Sequence, residues 1–403
     1  MKISIYIKIP KTILVFTLIL TFLILLLMLV PNVSGANQNL EDIENELNDN
    51  IHDRLDELDL EGLDFFDKYL ENNGIFDGGV SELIDAIISG KFNSEPTKVL
   101  EMILALFGVS LKGFLPVMIT IIAISIIFSI INNLSSGFTS KSTTEVIYFV
   151  CYSAMIVLVI GGISHLVVDT VKTINNMAKL MEVIFPITIT LVTALGGVVS
   201  SGIYSPLMAM LSMGISSIIK GVVLPCFIAT MALTIVGYIS KNVRLDKLTK
   251  FFKSSGTFIL GFVFSVFASL VTLQGITGAV SDNISIKSAK FAISSYVPIL
   301  GGYLSDGFDL VMASVVLVKN AVGMCGVVIV LSMVLAPVIN IALYILGLRL
   351  VSGIIEPIAD KRMSKILYGI SENLTLLISV LLGMAFMFFL MMTLVILTCS
   401  FGV

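Results

Sequence analysis

The sequence predicts an all-α, polytopic helical membrane protein that carries a small acidic helical extracytoplasmic domain near its N-terminus. Three observations support this fold class. The chain of 403 residues is 57% hydrophobic and only 13% charged, whereas a soluble domain has about 25% charged residues. Several of its apolar stretches reach the ~20 residues that a helix needs to cross a hydrocarbon core. The acidic residues are concentrated ahead of these stretches.

The charge asymmetry predicts the domain boundary. Residues 37–110 contain 18 Asp and Glu against 4 Lys and Arg, whereas residues 111–403 contain 10 against 17. Apolar residues recur in the acidic part at helical spacing, as at Leu40, Ile43 and Leu47. We therefore expect an acidic helical domain over 37–110 and a polytopic membrane domain over 111–403. The acidic surface is either a docking surface or a face that keeps the domain soluble.

The first 36 residues have the pattern of a secretory signal peptide. Lys2, Lys8 and Lys11 precede an apolar run over 12–30, and small residues follow at Ser34 and Ala36. We expect a signal peptide over 1–36, with an uncleaved anchor as the alternative. In both cases the chain from residue 37 onward is expected outside the cytoplasm.

Hydropathy predicts eight spans in the membrane domain, or ten if the weak region near 291–319 crosses twice, and the loop charges predict their direction. Two basic loops, 240–255 and 347–373, both fall on the cytoplasmic side if residue 110 lies outside, as the positive-inside rule requires. The C-terminus is then expected outside. The expected spans are 114–134, 146–168, 183–199, 203–219, 221–239, 256–279, a weak region near 291–319, 321–346 and 374–398.

A glycine-rich phrase, L-G-G-x-x-S-x-G, occurs at 195–202 and again 105 residues later at 300–307. Each copy follows a proline inside an apolar region. Paired interrupted segments in two halves of a membrane protein indicate a substrate site between repeats. We therefore predict repeats over 145–253 and 255–365, with chance similarity as the alternative. The predicted helix-breaking glycines are Gly196, Gly197, Gly202, Gly301, Gly302 and Gly307.

Four ionisable residues, Lys220, Asp306, Asp309 and Lys319, fall within or beside weakly apolar spans. A charge at mid-bilayer costs at least ~2.5 kcal/mol, so such residues usually face a cavity or one another. One interpretation is a polar lining or an interhelical ion pair. The other is that Asp306 caps a helix and that the two lysines extend to an interface.

Catalytic and metal-binding motifs are absent from the sequence. It contains no phosphate-binding loop, no H-E-x-x-H, no G-x-S-x-G and no paired C-x-x-C. The four cysteines lie in apolar segments without metal-like spacing. No clustered basic face indicates a nucleic-acid partner. We expect a protein that is not an enzyme, with no catalytic, cofactor-binding or metal residues.

The region from Lys290 to Gly326 contains a distinctive series of short motifs. They are Val297-Pro298, Gly301-Gly302, Leu304-Ser305-Asp306, Lys319-Asn320-Ala321-Val322-Gly323 and Gly326, with Glu356-Pro357-Ile358 and Asp360 further on. This series resembles the stage III sporulation protein AE family of endospore-forming Firmicutes. It implies a role in endospore formation, in the mother-cell membrane around the engulfed forespore. The implied partners are the other stage III sporulation A proteins, including an ATPase, and stage II sporulation protein Q.

Two functions follow from these observations. The first is a non-enzymatic subunit of the sporulation transenvelope channel, which forms, gates or anchors a passage and could assemble as a homo-oligomer. The second is a stand-alone secondary transporter for a small solute, with Asp306 and Asp309 in its substrate site. The sequence does not separate a pore-forming subunit from a scaffold.

Overall fold

The computed structural model describes residues 51, 61–71, 76, 78–92, 96–135, 141–239, 245–296, 301–358 and 360–399. The predicted signal peptide and most of the first half of the acidic segment therefore lie outside the described residues. A 3-10 turn, Glu61–Phe66, precedes the α-helices. The helices are α1 Asp67–Glu71, α2 Val80–Ile88, α3 Pro96–Ser135, α4 Lys141–Ala194, α5 Val198–Gly237, α6 Asp246–Tyr296, α7 Gly301–Ile355 and α8 Lys361–Leu397.

Helix α5 is continuous over 40 residues but is not α-helical throughout. Its α-helical parts are interrupted by π-helical turns at Met210–Ile215 and Ile219–Val223. A π-helical turn widens the helix locally and often marks a functional segment.

Within the described part of the chain, six helices, α3 to α8, are long and apolar enough to cross a membrane. The prediction of eight or ten spans is therefore wrong in number. Span 146–168 and most of span 183–199 lie on the single helix α4, which ends at Ala194, because the polar stretch between them stays helical. Spans 203–219 and 221–239 likewise belong to α5, and the weak region 291–319 is divided between α6 and α7.

The corrected number preserves the predicted arrangement of the loops. Three membrane helices now precede the basic loop 240–255, and five precede the loop 347–373. Both numbers are odd, as before, so the two basic loops still fall on one membrane face, opposite the N-terminal segment. The side on which each face lies remains a prediction from charge.

Helices α7 and α8 form the centre of the bundle. About 67% of the most apolar window of α7 and 50% of that of α8 are buried, whereas α3, α4 and α6 are buried over only 28 to 33%. Leu374, Leu377, Leu381 and Met391 of α8 have no exposed surface. The outer helices instead expose large apolar side chains, as membrane-facing surfaces do.

The described N-terminal segment packs against the polar middle of α4. Asn176 of α4 donates a hydrogen bond to the Tyr69 hydroxyl, at 2.5 Å, and burial raises the pKa of this tyrosine. The Lys179 ammonium lies 3.6 Å from the centre of the Phe65 ring. Asp67 accepts a hydrogen bond from the backbone of Val80, at 2.8 Å, which joins α1 to α2. That this segment is a separate acidic domain remains a prediction.

At the end of the bundle that carries the basic loops, side-chain contacts join α4 to α5 and α6 to α8. Tyr148 of α4 donates its hydroxyl to the backbone carbonyl of Tyr238, just beyond α5, at 2.9 Å. Lys253 of α6 lies 3.8 Å from Glu372 of α8. Burial, with Asp246 and Glu372 nearby, raises the pKa of Tyr238. The contact from α6 to α8 brings the two basic segments to the same end of the molecule.

Candidate functional site

A buried lysine forms the main polar site between the central helices. Lys319 of α7 has 0% of its surface exposed. Its ammonium donates a hydrogen bond to the Ile396 carbonyl, at 3.1 Å, and a second one to the Thr398 carbonyl. Both carbonyls lie at the C-terminal end of α8, which finishes at Leu397.

The end of a helix is a suitable partner for a buried cation. The last carbonyls of a helix have no intrahelical donor, and together they carry a partial negative charge. Lys319 supplies donors to these carbonyls, while they offset the cost of burying its charge. We call Lys319, Ile396 and Thr398 the α8 clasp, because they join the end of α8 to the side of α7.

Helix α5 joins the same cluster through a tyrosine. The fully buried hydroxyl of Tyr204 lies 2.5 Å from the hydroxyl of Thr398. The Thr398 hydroxyl in turn donates to the Leu394 carbonyl of α8, at 2.8 Å. Three helices, α5, α7 and α8, therefore meet at one hydrogen-bonded group.

The first glycine phrase lies directly beside the clasp. Helix α4 ends at Ala194 and α5 begins at Val198, and Gly196 between them has φ of 80°, which favours glycine. A Cβ on Gly197 would lie 2.8 Å from the Val192 carbonyl and 3.0 Å from the Cys399 sulfur. The tight turn therefore brings the chain close to the residue that follows the clasp.

Cys399 also has an unusual backbone conformation. Its φ is 59°, in the left-handed region that often follows the last turn of a helix. This turn directs the chain away from α8 immediately after Thr398. Cys399 is buried, with 3% of its surface exposed, so we assign it a packing role beside Gly197.

The other four predicted helix-breaking glycines belong to helices. Gly301 is the first residue of α7, after a stretch that lies outside the described residues. Gly302 and Gly307 lie inside α7, and Gly202 lies inside α5, so the helix breaks predicted for these three positions do not occur. An added Cβ at Gly202 or Gly307 meets no atom within 4 Å. Among the predicted glycines that the structure describes, Gly196 and Gly197 thus lie in a sharp turn between two helices.

Two of the four predicted ionisable residues, Lys220 and Lys319, lie at separate sites with different partners. Lys220 is exposed in the second π-helical turn of α5 and donates to Asn175 of α4, at 2.8 Å. Asp309 is half-buried on α7, two to three turns before Lys319. Asp306 belongs to α7, and its side chain lies outside the described residues. Their assignment to a pathway remains a prediction.

The sequence indicated Lys319 as a polar site but not the partners of its ammonium. Ile396 and Thr398 contribute backbone carbonyls, which no residue pattern reveals. Tyr204 and Cys399 carry no motif, although a tyrosine inside an apolar segment is a signal that a hydroxyl needs a buried partner. In the part of the chain that the structure describes, no group of His, Cys, Asp and Glu could hold a metal ion.

Comparison with known proteins places this arrangement in a family. The model of the family "Stage III sporulation protein AE" matches residues 79–399, which include all six apolar helices and the α8 clasp. The chain belongs to the stage III sporulation protein AE family. It is also similar to the stage III sporulation protein AE of Bacillus subtilis (strain 168), with 24% identity over 277 residues, 69% of each chain. No solved structure matches it.

Membership of the stage III sporulation protein AE family confirms the resemblance seen at Lys290 to Gly326. It also supports involvement in sporulation. The family match begins at residue 79, so the acidic residues ahead of it lie outside the matched region.

Proposed function

We propose that this family member is a non-enzymatic, integral-membrane subunit of the sporulation transenvelope channel. In this proposal it lies in the mother-cell membrane around the forespore and works with the other stage III sporulation A proteins, their partner ATPase and stage II sporulation protein Q. The observation that carries the proposal is the family match over residues 79–399, which spans the whole apolar bundle.

The packing of the bundle favours a passage between subunits over one through a single subunit. The axis of the bundle is occupied by α7 and α8, which are the most buried of its six long helices. A cavity between α4, α5 and α8 has a volume of only about 10 Å³, which is about the space of one water molecule. Met177, Met181, Leu211, Ser212, Met384 and Phe388 line it.

The clasp supports an anchoring role for the central helices. In the transporter interpretation, the ionisable residues in the spans would exchange partners with a substrate. The Lys319 ammonium is instead held by two carbonyls at the end of α8. This arrangement fixes α8 against α7, so it suits a rigid membrane element that supports partner subunits. The stand-alone transporter receives no comparable support.

Affinity purification from sporulating cells tests the proposal. The chain is tagged at its C-terminus and isolated in mild detergent after chemical cross-linking, with an unrelated polytopic membrane protein of similar abundance as the control. We expect the other stage III sporulation A proteins and stage II sporulation protein Q to be enriched over the control. Enrichment of none of them in cross-linked samples would contradict the assignment to the channel complex.

A further inference from the structure

The first turns of α6 carry an open groove on the surface of the protein. The groove has a volume of about 530 Å³ and is lined by Lys250, Lys253, Ser254, Thr257 and Phe258. These positions are spaced by three, four, seven and eight residues from the first of them, so all five lie on one face of the helix. The groove is therefore a property of a single helix face.

This face changes from basic to apolar along the helix. Lys250, which is exposed, and Lys253 lie near the start of the span Asp246–Gly275. Phe258 and Phe262 follow, with 71% and 59% of their surfaces exposed. Their rings stack with centres 6.3 Å apart. At 1.5 Å per residue, Phe258 lies about 12 Å deeper along the axis than Lys250.

The groove has a net positive charge at its basic end. Glu372 of α8 lies 3.8 Å from Lys253 and partly neutralises it. Lys250 is therefore the main source of net charge in the groove, with Lys247 one turn earlier and the opposing Asp246 at the start of the helix. Thr257 donates its hydroxyl to the Lys253 carbonyl, at 2.9 Å, so Ser254 is the hydroxyl on this face that can donate to a ligand.

We propose that this groove binds an anionic phospholipid, with its phosphate at Lys250, Lys253 and Ser254 and an acyl chain along Phe258 and Phe262. The basic end and the apolar end are separated by about the distance from a lipid phosphate to the upper part of its acyl chains. A soluble anionic protein would contact the lysines but would not reach phenylalanines inside the membrane span. Basic pockets at the cytoplasmic ends of membrane helices are suited to anionic head groups.

The proposal goes beyond the channel function, since it requires only that the chain spans a membrane. A lysine near the membrane surface contributes about 1 kcal/mol of attraction to anionic lipid, which is roughly fivefold in affinity. With Lys253 shared with Glu372, we expect about a fivefold preference for an anionic over a zwitterionic lipid at this site.

The sequence provides a direct probe of the groove, because the chain contains no tryptophan. The full-length Phe258→Trp variant is reconstituted in bilayers of phosphatidylcholine that contain equal fractions of either brominated phosphatidylglycerol or brominated phosphatidylcholine. Bromine atoms quench a nearby tryptophan, so the ratio of quenching constants reports which lipid occupies the groove. We expect about fivefold stronger quenching by brominated phosphatidylglycerol than by brominated phosphatidylcholine.

Two further variants carry the controls. In the Phe258→Trp background, Lys250→Gln with Lys253→Gln should reduce the ratio to about one, whereas Lys365→Gln, at an exposed lysine on α8 outside the groove, should leave it unchanged. A ratio of one in the parent, or an equal loss in Lys365→Gln, would overturn the proposal. Loss of the preference when phosphate replaces chloride at constant ionic strength would show a site for free phosphate and would also overturn it.

Discussion

The guanidinium carbon of Arg362 lies 3.5 Å from the centre of the Tyr148 ring, which joins the first turn of α8 to α4. The same guanidinium lies 3.1 Å from Asp360 and 3.3 Å from Glu145. At its other end α8 is held by Lys319 through its terminal carbonyls. Helix α8 is therefore fixed at its start by Arg362 of its own first turn and at its end by Lys319 of α7.

Replacement of Lys319 by methionine tests the clasp. Methionine keeps most of the volume but leaves the carbonyls of Ile396 and Thr398 without their donor. Interhelical hydrogen bonds in membrane proteins contribute about 0.6 to 1.7 kcal/mol, so we expect a loss of about 1–2 kcal/mol of unfolding free energy. Thermal unfolding in detergent measures it. Lys220→Met, at an exposed lysine with one described hydrogen bond, is the control, and an equal or larger loss there would contradict the clasp.

Substitution of two glycines by alanine tests the turn before α5. Gly197→Ala should destabilise the protein by about 1–3 kcal/mol, because the new Cβ would press on the Val192 carbonyl and the Cys399 sulfur. Gly202→Ala adds a methyl group in open space inside a helix and should be neutral or stabilising by up to ~1 kcal/mol. Urea or thermal unfolding of the pair gives the comparison. Equal changes in unfolding free energy for the two variants would show that the turn does not exclude a Cβ at Gly197.

Loss of the Arg362 guanidinium should loosen the end that carries the basic loops. Arg362→Gln removes the contact with the Tyr148 ring and the ion pairs with Asp360 and Glu145. We expect about 5- to 30-fold faster hydrogen exchange in the first turn of α8, as a loss of about 1–2 kcal/mol implies. Mass spectrometry of exchanged peptides measures the rate. Lys361→Gln, at the exposed neighbouring residue, should leave the rate unchanged.

Cysteine labelling tests the orientation of the bundle. Cys151 and Cys226, which are half-buried, are first replaced by alanine. A cysteine at Ser89, exposed after α2, should react with a membrane-impermeant maleimide in intact cells. A cysteine at Lys250 should react only after permeabilisation. Labelling of both positions from the same side would contradict an odd number of crossings between them.

The apolar periodicity and the charges of the sequence were enough to predict an all-helical bundle and the common side of its basic loops. They did not predict its span number, because hydropathy falls at the polar stretch of α4 while the backbone hydrogen bonds continue. The turn at Gly196 and Gly197 was visible as a motif. The same motif lies inside helix α7 at Gly302 and Gly307, since glycine permits a break but does not require one.

The sequence predicted one component of the site, Lys319, but not the groups that bind it. Lys319 stood out as a charge in an apolar segment, but its partners are backbone carbonyls whose availability depends on where α8 ends. That end lies about 77 residues further along the chain. The duplication of 145–253 and 255–365 also remains a prediction, since the second glycine phrase lies largely inside α7 rather than in a turn.

The most direct measurement is the outcome of sporulation in the host after in-frame deletion of the gene for this chain. We predict that forespores complete engulfment, fail to switch on late forespore gene expression and yield no heat-resistant spores, and that a wild-type copy at another locus restores them. Normal numbers of heat-resistant spores in the deletion strain would contradict the proposed role as a channel subunit.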